Sequence, residues 1–330
     1  MTRPPHLSLA SVPHVLGRAR REGPAAVLTC LEDLRLWSAA TTREQTLAAE
    51  AVADLIGGPF RLLGLESCAV RDGHLDVAVF RRRVAVTEEG PGWLGRQVER
   101  LLNPGRRFAV DFLLIPGGTF RMGPAPSGSG SSDDRPTVRI RPYLLARNPV
   151  IQRTWDLYGG EDQRRVRDPE RPIHGISWDD AEQWLALAGG RLRFPTEAEW
   201  EWAARAGDDR IWPTGDSPPP DLISRASAGD APRPSGRPRG PFGLIDMAGN
   251  VGELCWDEFF ESHEGRPENQ SARGDQAGYD KRRRVVKGGG YERPEAEQTC
   301  ASRRAIEQDK RERDVGLRPA RSLNLDELWS

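Results

Sequence analysis

Glycine and proline constrain this chain more than any other feature of its sequence. The chain holds 35 Gly and 27 Pro, close to a fifth of its 330 residues. Both residues interrupt regular structure and favour turns, so this content predicts a loop-rich fold and argues against a helical bundle or a coiled coil. Such a fold needs large side chains to anchor its core, and the 10 Trp can supply them.

Charge, apolar runs and cysteine spacing exclude several classes of protein. The net charge of −1 gives no overall field that would attract nucleic acid or an anionic membrane. No apolar run reaches the roughly 18 residues of a membrane span, and no signal-peptide pattern follows Met1. We therefore expect a reduced, cytoplasmic protein with no nucleic-acid or membrane partner, and the oligomeric state is left open. The four cysteines show neither zinc spacing nor the density of a disulfide scaffold: Cys30, Cys68, Cys255 and Cys300.

Two helices are predicted near the start of the chain. Residues 24–40 carry apolar side chains close to helical spacing. Thr41 and Glu44 form a capping-box pattern that begins a second helix. We expect its inner face to consist of Leu47, Ala51, Leu55 and Ile56.

A hairpin follows the two helices. Asp72-Gly73 lies between the apolar runs 60–70 and 74–80, a strong signal for a two-residue turn between antiparallel strands. A short helix is expected at 93–102. Residues 1–107 therefore predict a small α+β region of unknown role, and no motif within it carries chemistry.

The remaining chain reads as short strands and capped helices joined by loops. Pro116-Gly-Gly118 predicts a turn between two strands, and residues 139–146 alternate like a strand. Ser177 and Thr196 predict the N-caps of two helices, the second closed by Glu199. We expect residues 261–284 to form an exposed insertion.

Six segments of this second part, taken in order, resemble one known family. The set resembles the sulfatase-modifying-factor family, the domain of formylglycine-generating enzyme, over about two thirds of the chain. The resemblance implies an α+β, C-type-lectin-like fold rich in irregular structure. It divides the chain into 1–107, a family-like domain at 108–322 and a tail at 323–330. The matching segments begin at Ile115, Pro172, Arg193, Phe242, Val286 and Val315.

The resemblance also implies a chemistry whose ligands are incomplete here. Formylglycine-generating enzyme oxidises a substrate cysteine with O₂ and copper(I) held by two cysteines five positions apart, a soft-thiolate site suited to that ion. Cys300 matches the second cysteine, and so it is the candidate catalytic residue. Glu295 stands in place of the first, and Gly290 replaces the family's serine. Copper is therefore not expected, and the alternative role of Cys300 is a small buried apolar residue.

Two functions remain open at this point. The first is a non-catalytic module that binds a protein or peptide. The second is an active formylglycine-type, copper- and O₂-dependent oxidase with altered ligands. In variable binding proteins built on the same scaffold, the segment that corresponds to 291–314 forms the ligand surface. The candidate ligand-binding residues in that segment are Tyr291, Arg293, Arg303, Arg304, Arg311 and Arg313.

A calcium site is the other implication of the resemblance. The family's Gly-Asn loop offers backbone carbonyls and a glutamate to Ca²⁺, a ligand set that suits a hard cation. The matching residues are Gly249, Val251 and Glu253. The alternative is that Glu253 pairs with an arginine.

Overall fold

The computed structural model describes most of the chain from residue 28 onward. The described residues are 28–56, 59–70, 73–83, 109–125, 133–159, 161–218, 232–234, 236, 240–274 and 283–323. The α-helices are α1 Leu34–Ala39, α2 Thr42–Ile56, α3 Gln152–Trp155, α4 Trp178–Ala188 and α5 Glu197–Arg205. The strands are β1 Phe60–Val70, β2 Gly73–Arg83, β3 Ala109–Ile115, β4 Gly118–Arg121, β5 Thr137–Ile140, β6 Tyr143–Ala146, β7 Gly252–Glu258, β8 Arg283–Lys287, β9 Arg303–Glu307, β10 Val315–Gly316 and β11 Ala320–Ser322. Three 3₁₀ turns cover Leu28–Glu32, Pro241–Gly243 and Glu295–Glu297. The fold is therefore α+β with few helices and much irregular backbone.

The predicted hairpin is confirmed, and it belongs to the largest sheet. β1 and β2 pair antiparallel up to Val70 and Gly73, and β2 pairs in turn with β3. The five strands are ordered β1-β2-β3-β6-β11. The sheet therefore runs across the boundary at 107/108, and the early strands share one hydrophobic core with the later part of the chain.

The second predicted helix begins where expected and buries part of the predicted face. Thr41 N–H donates to Glu44 Oε2 at 2.7 Å, and Glu44 N–H donates to Thr41 Oγ1 at 3.3 Å, which is a capping box. Ile56 is buried, and Ala51 and Leu55 pack partly buried against the core, but Leu47 is 39% exposed, so the prediction was wrong at that residue. The buried face is instead centred on small alanines, which allow the helix to approach the sheet closely. The buried residues are Gln45, Ala48, Ala49, Val52 and Ile56.

The first predicted helix is interrupted. Residues 28–32 form a 3₁₀ turn, and Asp33 then caps α1 by accepting from Arg35 N–H. The start of the predicted stripe, at 24–27, and the helix expected at 93–102 lie outside the described residues.

The later chain builds a second sheet and two capped helices. This sheet has the order β10-β7-β8-β9, and β4 pairs with β5 in a separate hairpin. Capping boxes at Ser177 and Thr196 confirm the starts of α4 and α5. The strand predicted at 139–146 divides into β5 and β6, because Pro142 has no N–H for a continuous ladder.

Tryptophans anchor this loop-rich part, as the composition indicated. Trp155 and Trp184 stack at 5.9 Å between ring centroids, and Trp178 stacks on Phe194 at 4.7 Å. Trp178 and Trp202 donate their indole N–H groups to the carbonyls of Cys255 and Pro116. These two indoles thus fill core volume and at the same time satisfy a backbone carbonyl, that of Cys255 on β7 and that of Pro116 in the turn before β4.

No helix within the described ranges has both the length and the apolar character that crossing a membrane requires.

Candidate functional site

Cys300 lies inside the core at the start of the segment that leads into β9. Its side chain is 0% exposed, its Sγ lies 3.7 Å from the carbonyl oxygen of Ala204, and its N–H donates to Ile211 O at 2.8 Å. Burial raises the pKa of this thiol to about 12, although Arg205 and Lys287 act in the opposite direction. The thiol is therefore protonated at neutral pH and packs as a small apolar group.

A buried ion network lies near Cys300. Lys287 Nζ donates to Glu201 Oε2 at 2.9 Å, and Arg205 Nε donates to Glu201 Oε1 at 3.0 Å. Gly123 N–H donates to the same carboxylate at 2.8 Å. Burial favours the neutral acid, but the two cations and this N–H lower the pKa of Glu201 to about 2. The carboxylate is thus a fixed anion that holds α5 to β8, with no role as a proton donor.

The space beside Gly290, where the resemblance implies a serine, is filled by Asp314. A Cβ on Gly290 would lie 2.5 Å from Asp314 Oδ2 and 2.8 Å from Asp314 Cβ. Asp314 is held there by Arg293 Nε at 3.0 Å and by Arg304 Nη2 at 2.9 Å. A serine at position 290 would therefore require Asp314 to move and its two ion pairs to break.

The structure brings together some of the predicted ligand-binding residues but engages most of their guanidinium groups. Arg293 and Arg304 share Asp314 and Glu312. Arg303 contacts Glu197 at 2.7 Å, and Arg311 pairs with Asp180 at 2.7 Å and with Glu161 at 3.0 Å. Binding a ligand through these groups would first require an internal ion pair to open.

The remaining two predicted residues lie at the edge of this cluster. Tyr291 is half-buried, its hydroxyl donates to Arg313 O at 3.2 Å, and its ring meets His174 edge-on. The Arg313 side chain is exposed. None of the six predicted residues lines the cleft described below.

The first half of the predicted insertion, residues 261–274, is held against the domain by buried ion pairs. Arg266 is buried and donates to Glu197 Oε2 and to Asp257 Oδ1, both at 3.0 Å. Asp257 also accepts from the N–H groups of Glu197 and Arg273. Residues 261–274 thus form a strap over the start of α5, whereas 275–282 lie outside the described residues.

Glu253 of the candidate calcium loop pairs with an arginine. This is the alternative to calcium binding that the sequence left open. Arg318 donates to both carboxylate oxygens at 2.7 and 2.8 Å, and Trp200 Nε1 donates at 2.6 Å. Gly249 and Val251 lie in the preceding turn, where Gly249 has φ +72° and Val251 is buried. A cation bound by Glu253 would have to displace the guanidinium, so this carboxylate does not fit a calcium ligand. Among the described residues no group of three or more His, Cys, Asp and Glu is arranged to hold a metal ion.

One cleft stands out, and no local motif predicted it. It has a volume of about 1840 Å³ and is bounded by residues 32–36, the β4–β5 hairpin, the end of α5 and the strap. Its lining includes Met122 and Trp202, which are themselves buried, Arg135 between β4 and β5, and His263 and Glu264 of the strap. These residues come from four distant segments, so only the tertiary fold assembles them.

Comparisons with a family profile, with individual proteins and with solved structures all point to one family and fold. A profile described as "Sulfatase-modifying factor enzyme 1-like domain" matches residues 99–323. "Formylglycine-generating enzyme" of Bos taurus is 32% identical over 177 residues, 48% of this chain and 45% of that protein. The enzyme of the same name from Thermomonospora curvata is 28% identical over 261 residues, 56% of this chain and 84% of that protein. This chain thus spans less than half of the bovine relative. PvdO from Pseudomonas aeruginosa has a similar fold, with a TM-score of 0.55, 23% identity, and coverage of 64% of this chain and 94% of that one.

The depressed pKa of Glu201 predicts acid sensitivity. The folded value, about 2, lies below the ordinary value of 4.5, so the stabilisation is complete above 4.5 and is lost as the pH falls towards 2. We expect a loss on the order of 3 kcal/mol in unfolding free energy across this window, measured by urea denaturation. Glu201→Gln should flatten the profile there, and Glu307→Gln, at an exposed position, should not. An unchanged profile in Glu201→Gln would contradict this assignment.

The Glu253–Arg318 pair predicts indifference to calcium. Adding millimolar Ca²⁺ or EDTA should leave the Tm unchanged, because the carboxylate already binds a guanidinium. Glu253→Gln should lower the unfolding free energy by about 3–5 kcal/mol, since it leaves Arg318 buried without a counter-charge. Glu268→Gln is the exposed control. A Tm that rises with Ca²⁺ in the wild type and the control but not in Glu253→Gln would restore the calcium site.

Proposed function

The chain belongs to the sulfatase-modifying factor enzyme 1-like domain family, and we propose that it is a non-catalytic member of that family. In this proposal it serves as a protein- or peptide-binding accessory module. The observation that carries the proposal is the state of Cys300. One buried thiol stands where the resemblance implies a two-thiolate copper(I) site, with Glu295 five positions earlier. Burial raises the pKa of this thiol to about 12, which favours the protonated thiol over the thiolate that binds a metal.

The filled serine position supports the same proposal. Asp314 occupies the space that a side chain at position 290 would need, and it is fixed there by Arg293 and Arg304. Two changes, Gly290 and Glu295, thus alter the place where the family's chemistry is expected. The scaffold around them is intact: both capping boxes and the buried pair of Glu201 with Arg205 are formed.

The large cleft is the surface best suited to a partner. Its accessible apolar lining comes from Leu34, Pro124, Pro136 and Ala206, and it also carries charges of both signs, such as Glu264 and the largely accessible Arg139. This combination fits an extended peptide that places one apolar side chain on the apolar lining and polar groups along the charged walls. The predicted arginine surface at 291–314 is a weaker choice, because most of its guanidinium groups are already ion-paired.

Copper(I) titration tests the proposal against the altered-ligand oxidase. With a chromophoric chelator as competitor, we expect no tight equivalent of copper(I) on the wild-type protein. We also expect no oxygen consumption with cysteine-containing peptides and reductant. The matched variants are Cys300→Ala and Cys255→Ala, because both residues are buried thiols of the same core. One tightly bound equivalent that is lost in Cys300→Ala would overturn the non-catalytic assignment, and its loss in Cys255→Ala as well would identify the second ligand.

Peptide selection tests the cleft. A displayed random library selected on the wild-type protein should yield peptides with an apolar residue between polar ones. Thr119→Arg, at an exposed position on the cleft wall, should weaken their binding at least about tenfold, since the new side chain occupies the cleft. Thr42→Arg adds the same group on α2 outside the cleft and should have no effect. Equal affinity for both variants, or a library without enrichment, would remove the cleft from the proposal.

A further inference from the structure

Two arginines from distant segments lie against Phe60, and a third lies near one of them. Arg82 is the next-to-last residue of β2, Arg321 lies on β11, and Arg191 follows α4 in a left-handed turn with φ +56°. The backbone bridge between Arg193 and Ala320 runs antiparallel, which places Arg191 next to Ser322 and therefore beside Arg321. The cluster thus joins the early hairpin to the family domain.

Phe60 fixes the position of two of these guanidinium groups. The Cζ of Arg321 lies 4.7 Å from the centroid of the Phe60 ring, and the Cζ of Arg82 lies 5.8 Å from it. Both side chains are more than nine-tenths buried, with 4% of Arg82 and 7% of Arg321 exposed. Arg191 is exposed, so the cluster reaches the surface at the turn after α4.

Each buried arginine contacts the end of a helix, and Arg82 also forms a hydrogen bond with the Tyr158 side chain, but the Nε of each is left over. Arg82 Nη2 donates to Ala188 O at the end of α4, and Arg321 Nη2 donates to Ile56 O at the end of α2. Such contacts favour cations at helix C-termini. They do not satisfy the Nε of either residue, and both Nε atoms are buried without a hydrogen-bond partner.

The cluster also lacks a counter-charge. Among the residues that the structure describes, no carboxylate forms an ion pair with Arg82, Arg191 or Arg321. Burial, and then the positive charges of Arg191 and Arg82, lower the pKa of Arg321. Burial likewise lowers the pKa of Arg82. Arg82 and Arg321 lie against the same ring, and the charges of Arg82 and Arg191 act against that of Arg321, a repulsion that a bound anion would relieve.

We propose that Arg82, Arg191 and Arg321 form a binding site for a phosphate-type oxyanion. Guanidinium groups suit this ligand, because their N–H donors form paired, charge-assisted hydrogen bonds with tetrahedral oxyanions. The two unused Nε–H groups supply buried donors, and Arg191 supplies the opening to solvent. The bound anion would connect β2 to β11 and stabilise the attachment of the early hairpin to the domain. This inference is independent of the proposed function.

Thermal unfolding in inorganic phosphate tests the site. At constant ionic strength, exchanging chloride for phosphate at about ten times its Kd should raise the Tm by about 3 °C. Arg191→Gln should weaken phosphate binding at least tenfold, because it removes the surface cation of the cluster. Arg61→Gln is the matched control, since it removes an exposed arginine next to Phe60 whose side chain points to the opposite face of β1. ³¹P line broadening on the same three proteins gives a readout that does not depend on unfolding.

A second arm distinguishes free phosphate from a phosphomonoester. Phenyl phosphate that raises the Tm as much as inorganic phosphate would show that the opening at Arg191 admits an esterified group. A shift with inorganic phosphate alone would show a closed site for the free ion. The proposal is overturned if phosphate and chloride give equal Tm values in the wild type, or if Arg191→Gln responds to phosphate as strongly as the wild type and Arg61→Gln do.

Discussion

The buried guanidinium of Arg318 is the contact on which the architecture depends. All five of its N–H donors are used: two on Glu253, and one each on the carbonyls of Ala146, Arg147 and Ile245. These acceptors lie on β7, at the end of β6 and in the loop that precedes β7. One side chain therefore connects the two larger sheets where little regular structure does so. A charge pair this deep is costly to desolvate, and complete hydrogen bonding of the guanidinium offsets that cost.

The buried charged residues that hold the fold together differ in kind from the uncharged residues at positions 290 and 300. Trp200 donates to the carboxylate that Arg318 holds, and Glu201, the next residue of α5, binds Lys287 and Arg205. A change in this chain of buried charges would leave an ion unpaired, so the scaffold tolerates little variation. Cys300 is small and uncharged, so a change there alters only local packing, whereas a side chain at position 290 would displace Asp314, which pairs with Arg293 and Arg304. The fold can therefore stay intact while position 300 varies, but Gly290 and Asp314 depend on each other.

The described residues before 108 carry no recognised motif, yet they form part of the main sheet and of its hydrophobic core. β2 is a central strand of the main sheet, and Arg82 at its end meets the turn after α4 and the last strand. The proposed oxyanion site lies where the early hairpin meets the family domain. Ligand binding there and partner binding in the cleft would use different surfaces, because none of the three arginines lines the cleft.

The sequence by itself determined what depends on near neighbours and on ordered motifs. Capping pairs such as Thr196 and Glu199, the Asp72-Gly73 hairpin signal and the six collinear segments specified local elements and the family, because each signal acts over a few residues. It also predicted that Glu295 and Gly290 depart from the family pattern. Only the tertiary structure decided which face of α2 is buried, that Arg318 takes the Glu253 carboxylate, that Asp314 fills the space at Gly290, and that Arg82 and Arg321 lie against the same Phe60 ring. Those outcomes depend on contacts between residues far apart in the chain, whose geometry no local pattern encodes.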